Sequence, residues 1–266
     1  MAEPLPERVG IVLAGATGRT GGAVARALLS MPNVAVVGAV ARRRAGEDLG
    51  PALGLPPVGV VIEPDVAAAL DRTGAQVLVD FTTAEAGEAH ARAALTRGVP
   101  VVLGTTGIPF ATLEELGREA EQRGIAVLAI PNFSLGAMLM ARFSREAAAL
   151  MAGVEIVELH HATKRDAPSG TALRLAEAIA RSAGRESVPI HSVRLPGLVA
   201  HHQVIFGSAG ETLTIQHDTV SRESFAPGVR MAVLVAHRFR GLVTDFETVF
   251  QAYQQSPPPI VHSPDP

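Results

Sequence analysis

Between residues 9 and 130, short and wholly apolar runs alternate with helical patterns, and this alternation constrains the fold more than any other feature of the chain. VGIVLAG, GGAVARALLSM, VAVVGAV, PDVAAALDR, QVLVDFT, GEAHARAALTRG, PVVLGTTG, TLEELGREAEQRG and IAVLAIPNF follow one another in that order. A strand that is apolar on both faces needs cover on both faces, and an intervening helix supplies the crossover that parallel pairing demands. The expectation is an α/β domain with a doubly wound parallel sheet.

After Asn132 the rhythm changes. A helix is predicted over 134–151, a strand over 154–161 and a second helix over 171–183. Three extended runs follow, SVRLP, HQVIFGS and ETLTIQHDT, broken by Gly and Pro. Antiparallel strands after a parallel half predict a smaller α+β domain. The segment 225–253 turns helical again and can cross back to close the first domain. The tail QQSPPPIVHSPDP is too rich in Pro and Ser to pack and is expected to be disordered.

Composition narrows the partners. A net charge of -3 and a pI near 6.3 argue against a nucleic-acid or anionic-membrane surface, which concentrated positive charge would serve. No apolar run approaches the roughly 20 residues that span a bilayer, and MAEPLPER is acidic and Pro-rich rather than a basic leader. These features point to a cytoplasmic protein with a small-molecule partner. The absence of cysteine excludes disulfides, thiolate catalysis and Cys-based zinc sites.

The run GIVLAGATGRTGGAVARALL sets Gly15, Gly18 and Gly21 between a buried strand and a helix. Glycines there allow a tight turn and let main-chain N–H groups approach a pyrophosphate at the helix N-terminus. Three further strand ends carry matching signals: Asp80, Phe81 and Thr82; Gly104, Thr105, Thr106 and Gly107; and Pro131, Asn132, Phe133 and Ser134. Ligands of open α/β sheets bind outside the carboxyl ends of the strands, so the clusters should line one crevice with the glycine turn. The second strand ends in Ala41 followed by Arg42, Arg43 and Arg44, where an NAD-selective site would carry an acidic residue. Guanidinium groups clamp a 2′-phosphate, which predicts a preference for NADPH, with NADH as the other candidate. In the opposing reading the triplet is a solvated loop and Glu47 or Asp48 reaches the ribose.

The remaining chemistry is concentrated in ELHHATKRDAPSGTAL, residues 158–173. This stretch holds the one lysine, Lys164, of a chain whose Lys and Arg total 23. Only lysine offers a compact ammonium that burial can turn into a proton donor near neutrality. His160 and His161, adjacent on a strand, point to opposite faces and cannot easily chelate one metal together, so no metal site is expected. One ring can serve as an acid while the other binds substrate. Pro168, Ser169, Gly170 and Thr171 read as a capped helix start, a cradle for carboxylate or phosphate. The set suits reduction of an anionic conjugated substrate that takes a hydride and a proton.

The stretch 158–173, with GATGRTG, DFTTAE, GTTG, PNFSLG and FAPGVRMA, resembles the signature of the 4-hydroxy-tetrahydrodipicolinate reductases, also called dihydrodipicolinate reductases, of bacterial diaminopimelate and lysine biosynthesis. The likeness runs over nearly the whole chain. It implies an NAD(P)H-dependent oxidoreductase with a Rossmann-type cofactor domain, here 1–131 and about 222–266. A central domain, 132–221, would bind a dicarboxylate substrate and assemble a homotetramer through its sheet. It further implies His160 as proton donor and acceptor, Lys164 as its partner acid, His161 as a substrate ligand, and Gly170 and Thr171, beside Ser169, as the carboxylate cradle. Gly15, Ala16, Thr17, Gly18, Arg19, Thr20, Gly104, Thr105, Thr106, Ile130, Pro131, Asn132 and Phe133 would line the cofactor, joined by Arg42. Three positions depart from the family pattern: Thr20 replaces the usual Met of GRMG, Ala41 replaces the acidic ribose ligand of many members, and AHH replaces GxH at 200–202. A related amine or amino-acid dehydrogenase, and a cofactor-sensing protein without chemistry, are the alternatives; the DAPSGT cradle disfavours the first, and intact His160 and Lys164 disfavour the second.

Overall fold

A computed structural model describes residues 5–255. The expectation of a disordered tail falls mostly on residues 256–266, outside the described residues, as do the first four residues of MAEPLPER. Gln254, assigned to that tail, instead ends a helix.

The first half runs β1 (Val9–Ala14), α1 (Arg19–Leu28), β2 (Val34–Val40), α2 (Leu49–Ala52), β3 (Ile62–Glu63), α3 (Val66–Thr73), β4 (Val77–Asp80), α4 (Ala84–Thr96), β5 (Val101–Leu103), α5 (Phe110–Gln122) and β6 (Ala126–Ala129). Then come α6 (Leu135–Ala148), β7 (Gly153–His160), α7 (Gly170–Ala183), β8 (Ile190–Arg194), β9 (Ala200–Ser208) and β10 (Glu211–Thr219). The chain returns through α8 (Ala226–Val235), β11 (Gly241–Val243) and α9 (Phe246–Gln254).

Two compact units result. One comprises residues up to Phe133 together with those from Phe225 onward, and the other is Ser134–Ser224. The junctions fall later than the expected 131/132 and 221/222. Phe133 stays with the first unit because its fully buried ring packs edge-on against Phe81 and Phe246, at centroid distances of 6.0 and 5.9 Å.

The first unit holds a seven-stranded sheet in the order β11-β6-β5-β4-β1-β2-β3, parallel throughout. Strand order reverses between β1 and β4, the position at which such sheets open a ligand crevice. Central strands β4, β5 and β6 are buried at every residue, or nearly so, as two-sided cover requires. Two short edge strands, β3 and β11, join the five strands legible as apolar runs.

The second unit is a four-stranded sheet in the order β10-β9-β7-β8. Here one expectation needs correcting, because the three late runs are not all antiparallel. β8 pairs parallel with β7, while β9 and β10 are antiparallel to their neighbours. The connection explains it: α7 lies between β7 and β8, and a crossover helix returns the chain in the same direction. Alternation along β7 buries Val154 and Ile156 with Val204 and Phe206 of β9 against Met140, Leu175 and Ile179 of α6 and α7.

Candidate functional site

The turn between β1 and α1 is closed by main-chain geometry. Gly15 sits at φ +79°, and a Cβ there would fall 2.5 Å from the Phe81 carbonyl oxygen. The start of α1 also differs from most helices in the chain. Asp65, Thr83, Ser134, Ser169 and Asp245 cap α3, α4, α6, α7 and α9 with side-chain oxygens. Gly18 offers α1 no such cap, and no acidic residue occupies its first turn. Its leading N–H groups are therefore left for an anion, which the aligned peptide dipoles favour.

Two cavities open at this edge of the sheet. One, of about 750 Å³, is lined by Gly15, Thr17, Gly18, Arg19, Thr20, Ala41, Arg42, Arg43 and His90, among others. The second, of about 400 Å³, is lined by Gly104, Thr105, Thr106, Pro131, Asn132, Phe133 and Phe225. Arg19, Thr20, Phe81 and Thr82 border both, so the two form one elongated crevice over the strand ends. Uncapped N–H donors, a glycine with no room for a side chain and a crevice of this length fit a dinucleotide. Ala16 and Ile130 are instead fully buried and line neither cavity.

The loops at the crevice are held from below by Asp80, a fully buried carboxylate. Its Oδ1 accepts from Thr82 N (3.0 Å), Thr82 Oγ1 (2.7 Å) and Thr105 Oγ1 (2.5 Å), and its Oδ2 meets His90 Nδ1 at 2.7 Å. One buried anion thus ties the β4–α4 loop to the β5–α5 loop, and each bond offsets part of the cost of its burial. Sequence reasoning placed Asp80 at the crevice but missed His90, ten residues away on α4.

The arginine triplet divides. Arg42 and Arg43 are exposed and line the larger cavity. Arg44 turns aside to Glu47 (2.8 Å) and the Ala52 carbonyl (2.6 Å). Asp48 caps α2 and accepts from the Gly50, Val58 and Gly59 N–H groups; the Val58 bond foremost holds its carboxyl below the usual range. Neither Glu47 nor Asp48 lines the crevice.

In the second unit, the alternation that buries Val154 and Ile156 carries Glu158 and His160 inward on the same face. Cross-strand register sets His202 beside Glu158, and His217 beside His202. An apolar sheet face therefore becomes ionisable at one end. His160 Nδ1 donates to Glu158 Oε2, while Arg194 Nη2 meets Glu158 Oε1 at 2.6 Å. Burial pushes the Glu158 carboxyl up, but bonds from Arg194, Ser192 and His160 outweigh it and leave the group below its ordinary range. Burial lowers His160, against the opposing pull of Glu158. His202 stands edge-on to His160 at 5.3 Å, and burial, aided by the His160 charge, takes it down to about 4.

Ser169 caps α7 by accepting from Ala172 N, and its hydroxyl lies 3.4 Å from His202 Nε2. Gly170 and Thr171 form the first turn behind it. Lys164 is 21% exposed rather than buried, with Nζ 2.8 Å from both Asp166 oxygens. This bond, before any other influence, holds the Asp166 carboxyl below its usual range. His161 is exposed and pairs with Thr163 at 2.8 Å. His160, Lys164, Ser169, Gly170 and Thr171 thus belong to one neighbourhood, with His161 on its outer side. Sequence reasoning missed Arg194 and left His202 without a role, though the alternation of β9 signals the latter. Among the described residues, no three His, Cys, Asp or Glu side chains form a set that could hold a metal, and no helix is long and apolar enough to cross a membrane.

Comparison with known proteins assigns the chain as a whole. The family profile for the dihydrodipicolinate reductase N-terminus matches residues 9–133, and that for the C-terminus matches 136–250. The 4-hydroxy-tetrahydrodipicolinate reductase of Moorella thermoacetica is 45% identical over 91% of this chain and 97% of its own, and that of Symbiobacterium thermophilum is 44% identical over 90% and 96%. Among solved structures, a dipicolinate-bound dihydrodipicolinate reductase from a Paenisporosarcina species is 30% identical, covers 91% of this chain and 99% of its own, and superposes with a TM-score of 0.78. An amine dehydrogenase from Mycobacterium smegmatis, 16% identical over 89% of this chain and 94% of its own with a TM-score of 0.68, shares the fold alone. The first unit is accordingly a pyridine-nucleotide-binding Rossmann domain, and the chain belongs to the dihydrodipicolinate reductase family.

Proposed function

We propose that the protein reduces 4-hydroxy-tetrahydrodipicolinate to tetrahydrodipicolinate with NAD(P)H, in the diaminopimelate route to lysine. The observation that carries this reading is the single neighbourhood of a carboxylate-bound His160, the Lys164 ammonium and the Ser169-capped start of α7, in a chain that reductases match over 90–91% of its length. When bound, the nicotinamide would supply a hydride for the conjugated imine left when the substrate loses water. The protein's own groups do the rest. His160 delivers the balancing proton and Lys164 acts as its partner acid, both within reach of a substrate whose carboxylate sits on the N–H groups of Gly170 and Thr171, with His161 as a further ligand. Lys164 then exchanges Asp166 for the substrate carboxylate or its proton-bearing atom.

Gly15, Thr17, Gly18, Arg19, Thr20, Gly104, Thr105, Thr106, Pro131, Asn132 and Phe133 hold the dinucleotide, with Ala16 and Ile130 shaping the crevice from behind. NADPH is the preferred form. Arg42 and Arg43 are exposed guanidinium groups lining the larger cavity, and the rival carboxylates are engaged elsewhere. Residues up to about 133 and from about 225 serve as the cofactor domain, and those between as the substrate domain. The reading includes a cytoplasmic homotetramer assembled through the sheet face opposite α6 and α7, where Val157, Leu159, Val193 and Ile205 remain only partly covered. The experiment is a coupled assay in which the aldol product of pyruvate and aspartate semialdehyde is formed in place and loss of nicotinamide absorbance is followed. Enzyme-dependent consumption is expected, and its absence with both NADPH and NADH would overturn the reading.

A further inference from the structure

Glu158 is a carboxylate where packing asks for none. Val154 and Ile156 precede it on the same buried face of β7, and a third aliphatic residue would extend that stripe. Instead the site takes in an anion with no solvent exposure, a cost that only close partners offset. It has three: His160, Arg194 and Ser192.

We propose that Glu158 is the positioning residue of the proton donor: its carboxylate accepts a hydrogen bond from the Nδ1–H of His160, leaving Nε2 to carry the transferable proton. This rests on the reading of His160 as that donor. Two consequences follow from the geometry. The imidazole is confined to one tautomer and one orientation, as a neutral ring with two equivalent choices would not be. The buried carboxylate also supplies a counter-charge that offsets part of the desolvation holding the His160 pKa low. After transfer the ring is neutral with Nδ1–H retained, and solvent restores the Nε2 proton in the next cycle.

Arg194 extends the arrangement. The Nη2 that meets Glu158 also donates to the Asp166 carbonyl at 2.7 Å, and Nη1 donates to the Val193 carbonyl at 2.8 Å. One guanidinium thus fastens the carboxylate that orients His160 to the loop that carries Lys164. Other charged or titratable groups facing His160 are Lys164 from that loop, Arg194 from β8 and His202 from β9, with His217 and His201 behind His202. His202 stays neutral at physiological pH and adds no positive charge beside the donor.

The test is a double-mutant cycle in the full-length enzyme with Glu158→Gln, His160→Gln and both, read by kcat, KM and pH profile. Glu158→Gln should lower kcat by roughly 10- to 100-fold, part of the 10²–10⁴ that a general acid contributes, and leave both KM values within about twofold. Activity needs protonated His160, so it falls as pH rises, and that limb should move to lower pH in Glu158→Gln. In the His160→Gln background the second substitution should add nothing. Nitrogen-15 NMR of His160 should show an Nδ1–H tautomer in the wild type that is lost in Glu158→Gln. A wild-type kcat and pH limb in Glu158→Gln, or losses that add across the cycle, would overturn the proposal in favour of a structural ion pair. If His160→Gln itself turns over normally, the donor assignment fails, and the NMR result still decides whether Glu158 sets the tautomer. Glu158→Gln leaves Arg194 without its counter-charge; should it not fold, Glu158→Gln/Arg194→Gln removes both charges, and the same pH limb and NMR signal are read.

Discussion

In the crevice of the parallel sheet, the donors aimed at a ligand are main-chain N–H groups at an uncapped helix start, whereas around the end of β7 nearly every contact is made by a side chain. The difference governs what each site tolerates. A site built from backbone depends little on which side chains its positions carry, but it has no space for a Cβ at the turn. A site built from side chains is indifferent to small backbone changes and fails when one functional group is exchanged. In the cluster, moreover, each group sets the charge state of the next, because burial makes the unpaired form of each costly.

The sharpest way to break this contrast is Lys164→Ala. If the cluster does the proton chemistry and the crevice only holds the nucleotide, kcat falls by roughly 10²- to 10⁴-fold. The dissociation constant for NADPH, measured by fluorescence titration, stays within about twofold. Unchanged turnover would remove Lys164 from the mechanism, and an equal loss of nucleotide affinity would erase the distinction between the sites.

Protonation probes the cluster without mutation. His202 has a folded-state pKa of about 4 against an ordinary 6.5, so the folded protein resists a proton that the unfolded chain accepts. The stability contributed is fully present above pH 6.5 and is lost as pH falls towards 4. At 1.36 kcal/mol for each unit of difference, the loss reaches about 3 kcal/mol over that window. The carboxylates held low, Glu158 and Asp166 among them, act in the same direction but in a more acidic range. Chemical denaturation at pH 7 and pH 5 should therefore show a marked fall in the wild type and a smaller one in His202→Gln. Equal slopes for the two proteins would place the titrating group elsewhere.

The complementary test addresses the backbone site. Gly15→Ala introduces a Cβ 2.5 Å from the Phe81 carbonyl oxygen at a φ that L-residues avoid. The turn must shift, and nucleotide affinity should drop by roughly 10- to 100-fold, each factor of ten being about 1.4 kcal/mol. The His160 tautomer should be unchanged by NMR. Wild-type affinity in this variant would mean that the turn does not hold the phosphates.

The same contrast explains what could be read in advance. The parallel sheet and its glycine turn were legible because they leave periodic marks: apolar runs of strand length, glycines at fixed intervals, and Thr or Asn at successive strand ends. The edge strands β3 and β11 were not, since two or three residues carry no period. Parallel β8 was misjudged because strand direction depends on the connection through α7 rather than on the run itself. Ser169 as a cap and the inward and outward histidines followed from local rules of helix starts and strand alternation. Arg194 did not. It lies 36 positions from Glu158, and only the pairing of β7 with β8 brings the two together.

The smallest expected effect concerns cofactor choice at the rim of the crevice. Arg42 is exposed and free of the ion pairing that draws Arg44 to Glu47, so a 2′-phosphate is its natural partner. An exposed contact of this kind is weakened by solvent and salt. Arg42→Ala should therefore weaken NADPH binding by about tenfold at low ionic strength, in the range of a lost charge-assisted hydrogen bond, and less at high salt. NADH affinity should be unchanged, because its ribose offers hydroxyls and no phosphate. Arg43 lines the same cavity, and the double variant separates a shared clamp from a single one: a further loss confined to NADPH means that both arginines hold the phosphate. Equal losses for NADH and NADPH would contradict the 2′-phosphate role and would make Arg42 a contributor to the general field of the crevice.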